Sequence, residues 1–102
     1  MKERKREEPA IRKQQILDAG IKMATKHGYQ SITREDVASA ADVSVGLVSK
    51  YFLTMANLKR AIMRAAIDRE ILSIVAQGVS LRDPLTRSIS GTLRLKMKAL
   101  FD

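Results

Sequence analysis

Apolar residues recur along the chain at intervals of three and four, the spacing that places side chains on one face of an α-helix. Pro9 stands ahead of the first such stripe, where its fixed φ suits a first helical turn. Gly28 follows the stripe directly after two basic residues, which is typical of a helix end. The pattern therefore predicts a helix over residues 9–27. Its apolar stripe consists of Ile16, Leu17, Gly20, Met23 and Ala24.

Two shorter helices are predicted to follow. Thr33 is followed three positions later by Asp36, a pattern close to the capping box that begins a helix, here over residues 34–40. Ser44 is a favourable N-cap for the next helix, which we expect over residues 45–51. Because only a three- or four-residue turn separates these two helices, the pattern is typical of a helix-turn-helix.

The rest of the chain shows two longer stripes. Thr54 is a good N-cap for a fourth helix that we expect to end at Gly78. Pro84 suits a first helical position, so we expect a fifth helix over residues 84–100, with Gly91 as an interior weak point that costs about 1 kcal/mol relative to alanine. The stripes consist of Leu58, Ile62, Ala65, Ala66, Leu72 and Val75 in the fourth helix, and of Leu85, Ile89, Leu93, Met97 and Phe101 in the fifth.

No segment shows the alternation of a β-strand, so the predicted fold class is all-α. We expect three parts along the chain. Residues 1–8 form a flexible basic arm, because they are charged and nearly devoid of apolar side chains. Residues 9–52 form a three-helix, homeodomain-like helix-turn-helix head, and residues 53–102 form a tail of two amphipathic helices.

The charge of the chain favours a polyanionic partner. The sequence carries 19 Lys+Arg against 11 Asp+Glu, a formal net charge of +8 with a pI of about 10.2. A positive field of this size attracts DNA, RNA or acidic lipid surfaces. Basic residues predominate in residues 1–13 and 53–102, whereas residues 14–52 carry equal numbers of acids and bases. Any DNA recognition by the head is therefore not expected to rest on charge alone.

Several other classes of function find no support in the residues. There is no cysteine and one histidine, His27, so neither a disulfide framework nor a metal site is expected. We identify no nucleophile with a base and no phosphate-binding loop, so we predict no enzymatic activity and no cofactor. The apolar runs are too short to span a bilayer and the charged first residues are unlike a secretory signal, so we expect a cytoplasmic protein.

A set of residues between positions 11 and 62 carries a more specific signal. The set comprises Ile16, Leu17, Asp18, Ala19, Gly28, Tyr29, Ser31, Ile32, Thr33, Asp36, Val37, Ala38, Ala41, Val43, Ser44, Gly46, Tyr51, Phe52 and Leu58. With these residues in this order and at these separations, the head resembles the DNA-binding domain of the tetracycline-repressor (TetR) family. The resemblance implies a helix-turn-helix transcriptional regulator, acting as a repressor, whose third helix lies in the major groove of double-stranded DNA.

The resemblance also implies which side chains contact the bases. Lys50 is the candidate for hydrogen bonds to guanine O6 and N7, and Val45 and Leu47 are candidates for contact with thymine methyl groups. Gly46 lets the helix approach the duplex closely because it has no side chain. The base-reading set implied by the family is Val45, Gly46, Leu47, Ser49, Lys50 and Tyr51.

Phosphate contacts are expected where helices begin and where cations lie. Thr33 and Ser44 would each offer a hydroxyl and free N–H groups to a phosphate oxygen. Lys59 and Arg60 are further candidates on the fourth helix. The basic arm adds Lys2, Arg4, Lys5 and Arg6.

The sequence departs from the family pattern at four positions. Asp42 stands where glycine is usual, and Leu47 where threonine is common. Ser49 replaces a frequent tyrosine, and Met55 replaces a lysine that usually contacts the DNA backbone. Because the last two changes weaken two phosphate contacts, we expect cations elsewhere in the chain to compensate.

The tail is short for this family, whose members usually continue with further helices that form an effector pocket and a dimer interface. Two helices cannot enclose a sizeable cavity, so we predict no small-molecule effector. We do expect a homodimer, because symmetric operators require two copies. The candidate interface is Leu85, Ile89, Leu93, Met97 and Phe101; the alternative is that this stripe packs on the fourth helix of its own chain.

Two further functions fit the basic tail. It could be a protein-interaction module that binds an acidic partner through its cations. It could also lie on an anionic membrane surface, although it has no tryptophan to anchor it. The cations concerned are Arg82, Arg87, Arg94, Lys96 and Lys98.

Overall fold

The computed structural model describes residues 8–101, and every regular element in that range is helical. The predicted all-α class is therefore confirmed. The elements are α1 (Pro9–His27), α2 (Arg34–Ala41), α3 (Val45–Phe52), α4 (Met55–Arg69), α5 (Leu72–Ser80), a 3₁₀ turn (Pro84–Ser88) and α6 (Gly91–Phe101).

The three helices of the head begin where their capping residues predict. The Thr33 hydroxyl accepts a hydrogen bond from the Asp36 N–H at 3.1 Å, and the Asp36 carboxylate accepts one from the Thr33 N–H at 3.0 Å. This reciprocal pair is a complete capping box. The Ser44 hydroxyl likewise accepts from the Leu47 N–H at 3.1 Å. The predicted bounds of α1, α2 and α3 are thus confirmed to within one residue.

The predicted fourth helix is wrong in its extent, because it is broken at Glu70. Glu70 adopts a left-handed conformation with φ of 55°. The Ile71 N–H then donates to the Ala66 carbonyl at 2.8 Å, and the Glu70 N–H donates to the Ile67 carbonyl at 3.3 Å. These two bonds form a Schellman motif, which usually has glycine at the left-handed position. Because Glu70 is not a residue typical of this position, the sequence did not predict a helix end there.

The predicted fifth helix is also wrong, since residues 84–100 do not form one helix. Ile89 is extended, and α6 begins only at Gly91. Ser90 caps it, because its hydroxyl accepts a hydrogen bond from the Leu93 N–H at 3.1 Å. Gly91 consequently lies at a helix start and is no interior weak point. The tail therefore contains three α-helices and a 3₁₀ turn where two helices were predicted.

One continuous apolar core joins the head to the tail. Ile62 and Met63 on α4 are fully buried together with Tyr29 from the loop after α1. Gly78, predicted to end a helix, lies inside α5 and allows α5 to pack closely on its neighbours. A Cβ atom there would lie 2.5 Å from Met63 Cε and 2.8 Å from a side-chain carbon of the 3₁₀ turn.

Tyr29 forms the main polar link between head and tail. Its N–H donates to the Gln77 side-chain oxygen on α5 at 3.0 Å, and its hydroxyl donates to the Asp83 carboxylate at 3.1 Å. Burial raises the pKa of the Tyr29 phenol above its ordinary value, and the neighbouring Asp83 charge acts in the same direction. The loop that precedes α2 is therefore fixed to the start of the 3₁₀ turn.

The apolar stripe proposed as a dimer interface is covered by its own chain. Ile89, Leu93 and Met97 are only 8%, 3% and 8% exposed and belong to the core, while Leu85 is half-buried against it. The side chain of Phe101 lies outside the described part of the molecule. The intrachain alternative therefore describes this stripe, because α6 turns its apolar face toward α5.

Across residues 8–101, the helices all fall short of the length and apolar character that a bilayer crossing demands.

Candidate nucleic-acid interface

The third helix presents one open face. α3 buries Val48 and Phe52 in the core, and it leaves Val45, Gly46 and Lys50 exposed on the opposite side. The remaining base-reading candidates are half-buried at the margins of the exposed face. They are Leu47, Ser49 and Tyr51. A face of about two helical turns is therefore available to an external partner.

Gly46 has no packing reason to be glycine. A Cβ atom there would meet only the Ser44 hydroxyl, at 3.9 Å, which is an ordinary contact. Its backbone φ is also unremarkable, because the only glycine with positive φ is Gly28 among residues 8–101. Ala would thus be tolerated by the chain itself, and the small residue is suited to close approach by something outside the chain.

The turn between α2 and α3 is tight and is closed by the backbone. Asp42 takes the left-handed conformation with φ of 58°, and the Val43 N–H donates to the Ala38 carbonyl at 3.0 Å. Aspartate tolerates this conformation better than most residues, so the usual glycine is not required. The turn places the Ser44 cap at the entrance of α3.

The two predicted phosphate-binding helix starts differ in electrostatics. The first turn of α2 carries Glu35 and Asp36, and Asp36 is already used in the capping box. The first turn of α3 contains no acidic residue, so the partial positive charge of its N-terminus is not offset. Ser44 is therefore a better candidate than Thr33 for a phosphate contact.

The predicted cations are placed unequally. Lys59 is half-buried, and its ammonium donates to the Gln30 carbonyl at 3.1 Å, so it is engaged within the chain. The Lys50 ammonium is exposed and lies 5.9 Å from the centroid of the Tyr51 ring. The arm cations lie outside the described residues: Lys2, Arg4, Lys5 and Arg6.

A strained turn fixes the angle between α3 and α4. Leu53 has φ of 65° and ψ of −59°, and the Thr54 N–H donates to the Phe52 carbonyl at 2.7 Å. This i to i+2 bond with positive φ is a γ-turn, a rare conformation for a residue with a side chain. Nothing in the pattern of the sequence indicates it, because leucine is not a residue of such turns.

No carboxylate, imidazole or thiol cluster suited to a metal occurs within residues 8–101. The described interface consists instead of an exposed helix, two capped helix starts and isolated cations. These features define a class of protein, a three-helix helix-turn-helix domain with an open third helix.

Comparison with known proteins gives the family. Residues 16–62 match the family described as bacterial regulatory proteins, tetR family. This segment includes α2, α3 and the turn between them. The head of the chain, over residues 16–62, therefore belongs to the TetR family.

Three relatives with assigned names are similar to the chain. The HTH-type transcriptional repressor KstR of Rhodococcus jostii (strain RHA1) is 36% identical over 78 residues, which cover 74% of this chain and 35% of the relative. KstR of Mycobacterium tuberculosis (strain ATCC 25618 / H37Rv) is 36% identical over 66 residues, which cover 65% of this chain and 28% of the relative. The HTH-type transcriptional regulator BetI of Serratia proteamaculans (strain 568) is 33% identical over 79 residues, which cover 76% of this chain and 40% of the relative.

The chain therefore spans well under half the length of these relatives, between 28% and 40%. No solved structure matches the chain significantly.

Proposed function

We propose that this protein is a sequence-specific DNA-binding transcriptional regulator of the cytoplasm, acting as a repressor. It inserts α3 into the major groove of an operator with inverted repeats. The observation that carries the proposal is the open face of α3 around Gly46, which no part of the described chain covers. A helix of about 10–12 Å diameter fits the roughly 12 Å width of the major groove of B-DNA.

Base recognition rests on a few side chains of this face. Lys50 is exposed near the C-terminal end of α3 and is free to reach guanine O6 and N7. Val45 lies at the other end, where its exposed methyl groups suit thymine. Ser44 binds the adjacent phosphate and fixes the register of the helix along the groove.

Two copies bind the inverted repeat, and they need a surface for pairing. Since the stripe at Ile89, Leu93 and Met97 is internal, that surface lies elsewhere in the tail. An open groove of about 720 Å³ runs between α5 and α6. It is lined by Ala76, Val79, Ser80, Gly91, Arg94, Leu95, Met97 and Lys98.

The occupant of this groove is a second copy of the chain. Leu95 and Val79 both line the groove and are 70% and 37% exposed, so its wall offers apolar surface to a partner. α6 packs mainly on α5 and not on α3, so pairing through α6 leaves both recognition helices free. Two short helices give a face about 16 Å long and about 20 Å wide, which suits a small interface below about 1,200 Å² in total.

An interface of this size predicts weak pairing in free solution. The like charges of Arg94 and Lys98 in two facing grooves weaken it further, and added salt screens them. On DNA the two half-sites hold the copies together at a high effective concentration. We therefore expect cooperative binding to an inverted repeat by a protein that is largely monomeric when dilute.

The experiment that tests the proposal is selection of bound sequences from random DNA by the full chain. We expect an inverted repeat whose half-sites are centred about 34–36 Å apart, or a multiple of that distance. The double variant Lys50→Ala with Tyr51→Ala should fold normally and lose the selected specificity. Recovery of no preferred sequence by the wild-type chain would contradict the proposal.

The pairing surface has its own test. Leu95→Asn and Leu53→Asn remove side chains that are 70% and 69% exposed, one in the groove and one in the turn between α3 and α4. In sedimentation equilibrium, self-association of the wild type should rise with salt, fall in Leu95→Asn and stay unchanged in Leu53→Asn. Equal association of all three proteins would place the contact elsewhere. If the wild type stays monomeric and binds DNA without cooperativity, a second copy of the chain does not occupy the groove.

The alternative of a tail that holds an acidic partner has less support. Lys96 is already paired with Glu70 at 2.6 Å, and the Arg94 guanidinium donates to the Thr86 carbonyl at 3.3 Å. Two of the five cations proposed for that role are therefore engaged within the chain. The absence of a small-molecule effector stays a prediction.

A further inference from the structure

A basic cleft lies beside the C-terminal end of α3. It has a volume of about 440 Å³ and is bounded by α1, α3 and α4. Three cationic side chains line it, Lys13 from α1 and both Arg60 and Arg64 from α4. None of its described lining residues is acidic. The other lining residues are Leu17, Tyr51, Phe52, Leu53, Asn57 and Ala61.

Two of the three cations have a contact that holds them in place, and none of the three is paired with a carboxylate of residues 8–101. The Lys13 ammonium lies 5.4 Å from the centroid of the Phe52 ring. The Arg60 guanidinium donates to the Asn57 side-chain oxygen at 3.1 Å. Within residues 8–101 neither these two nor Arg64 forms an ion pair with a carboxylate. Arg60 and Arg64 also border a neighbouring pocket that contains Asp83, but no carboxylate lines the cleft itself, so its concave surface is suited to an anion.

When α3 is docked in the major groove, as proposed, DNA phosphates lie on either side of it. A helix of about 10–12 Å diameter fills a groove of about 12 Å, so the residues that flank it face the two sugar-phosphate ridges. Tyr51 belongs both to the reading face and to the wall of the cleft. A phosphate beside the end of α3 is thus the anion that this surface would meet.

The other two cations of α4 are engaged within the chain. The Lys59 ammonium donates to the Gln30 carbonyl at 3.1 Å, and Arg69 is paired with Asp18 at 2.9 Å. Arg60 and Arg64 are therefore the cations of α4 that remain for an external anion.

We propose that Lys13, Arg60 and Arg64 bind the phosphate backbone of the operator. The inference rests on the proposed function and adds a site to it. Phosphate contacts carry no sequence information, so the cleft supplies affinity that is the same for specific and non-specific DNA. It also sets part of the salt dependence of binding, because each neutralised phosphate releases condensed counterions.

The test is the salt dependence of DNA binding by the full chain. Lys13→Gln, Arg60→Gln and Arg64→Gln are compared with Lys22→Gln, which removes an exposed charge of α1 outside the cleft. Each cleft variant should bind roughly threefold to tenfold more weakly, equally on selected and random DNA. Its slope of log K against log salt should be shallower by about 0.9 per half-site. The control should keep the wild-type slope.

Two results separate the failure of the cleft from the failure of the proposed function. If the wild type binds DNA and all three cleft variants keep its slope, the cleft does not contact phosphate. If the wild type itself binds no DNA, the proposed function fails first. Arg64→Gln keeps the test valid even if Lys13→Gln disturbs the Phe52 contact, since Arg64 is exposed and forms no hydrogen bond or ion pair with the described residues.

Discussion

Two helical glycines show how differently the head and the tail are built. A Cβ atom on Gly46 of α3 would meet only the Ser44 hydroxyl at 3.9 Å. A Cβ atom on Gly78 of α5 would lie 2.5 Å from Met63 Cε and 2.8 Å from Thr86 Cγ2. Gly78 is required for packing inside the tail, whereas Gly46 is not required for packing inside the head. The absence of a side chain at Gly46 leaves room for the close approach of DNA that the proposed function requires.

The same contrast holds for whole helices. The apolar stripe of α6 is buried inside the chain at Leu93 and Met97, while α3 has one exposed face. The tail thus acts as a scaffold that supports the head through α4 and through the Tyr29 contacts. Four predictions test this contrast, described from the largest expected effect to the smallest.

Gly78→Val should lower the free energy of unfolding by about 3 kcal/mol. Overpacking of a filled core costs about 1–3 kcal/mol, and the side chains that the added atoms would meet, Met63 and Thr86, are both buried. The matched variant Gly91→Val should change the free energy by less than about 1 kcal/mol, since its Cβ would meet nothing within 4 Å. Urea unfolding measures both. Equal effects at the two glycines would remove the contrast between packed and open positions.

Tyr29→Phe should lower stability at neutral pH by about 1.5 kcal/mol, because Asp83 loses a hydrogen-bond donor in a largely buried site. Burial raises the pKa of the Tyr29 phenol, so the folded state favours the protonated form. Its contribution is complete below pH 10 and is lost as the pH rises further. Wild type should therefore lose stability above pH 10 more steeply than the variant. If the stability of the two proteins falls in parallel above pH 10, ionisation of Tyr29 is not the cause of the loss.

Leu53→Gly should raise the free energy of unfolding by about 1 kcal/mol. The residue has φ of 65° and is 69% exposed, so glycine relieves the backbone while few contacts are lost. Thermal unfolding by circular dichroism is sufficient to measure the change. A clear loss of stability would mean that the γ-turn between α3 and α4 is not strained.

Gly46→Ala should leave stability unchanged or raise it by less than about 1 kcal/mol, because alanine is the better helix former. Its affinity for the selected operator should nevertheless fall by roughly tenfold, the factor that corresponds to 1.4 kcal/mol. The comparison of urea unfolding with DNA titration tests this separation. An unchanged affinity would show that the backbone near Gly46 does not approach the duplex closely.

The helix starts of the head could be predicted because they are local. Thr33 and Ser44 indicate where their helices begin, because each hydroxyl accepts a hydrogen bond from the backbone N–H three residues later. The helix ends of the tail were missed because they depend on packing. Glu70 takes a left-handed conformation that is usually reserved for glycine, and Ile89 leaves the helical path just before the Ser90 cap.

The candidate site divides in the same way. The open face of α3 follows from helical periodicity and from the family resemblance, because both concern neighbours along the chain. Arg60 was a candidate phosphate contact from the sequence, but the cleft as a whole could not be predicted, since Lys13 meets Arg60 and Arg64 only when α1 crosses α4. The hydrogen bond from Lys59 to the Gln30 carbonyl could not be predicted either, because the two residues are 29 positions apart in the sequence.

The measurement that tests the central claim most directly is methylation interference at guanine N7 on the selected operator. N7 lies in the major groove, so a methyl group there obstructs a helix docked in that groove. We expect interference in two patches centred about 34–36 Å apart, one for each copy of α3. Binding that is insensitive to N7 methylation throughout the operator would contradict the account, because α3 would then not read the major groove.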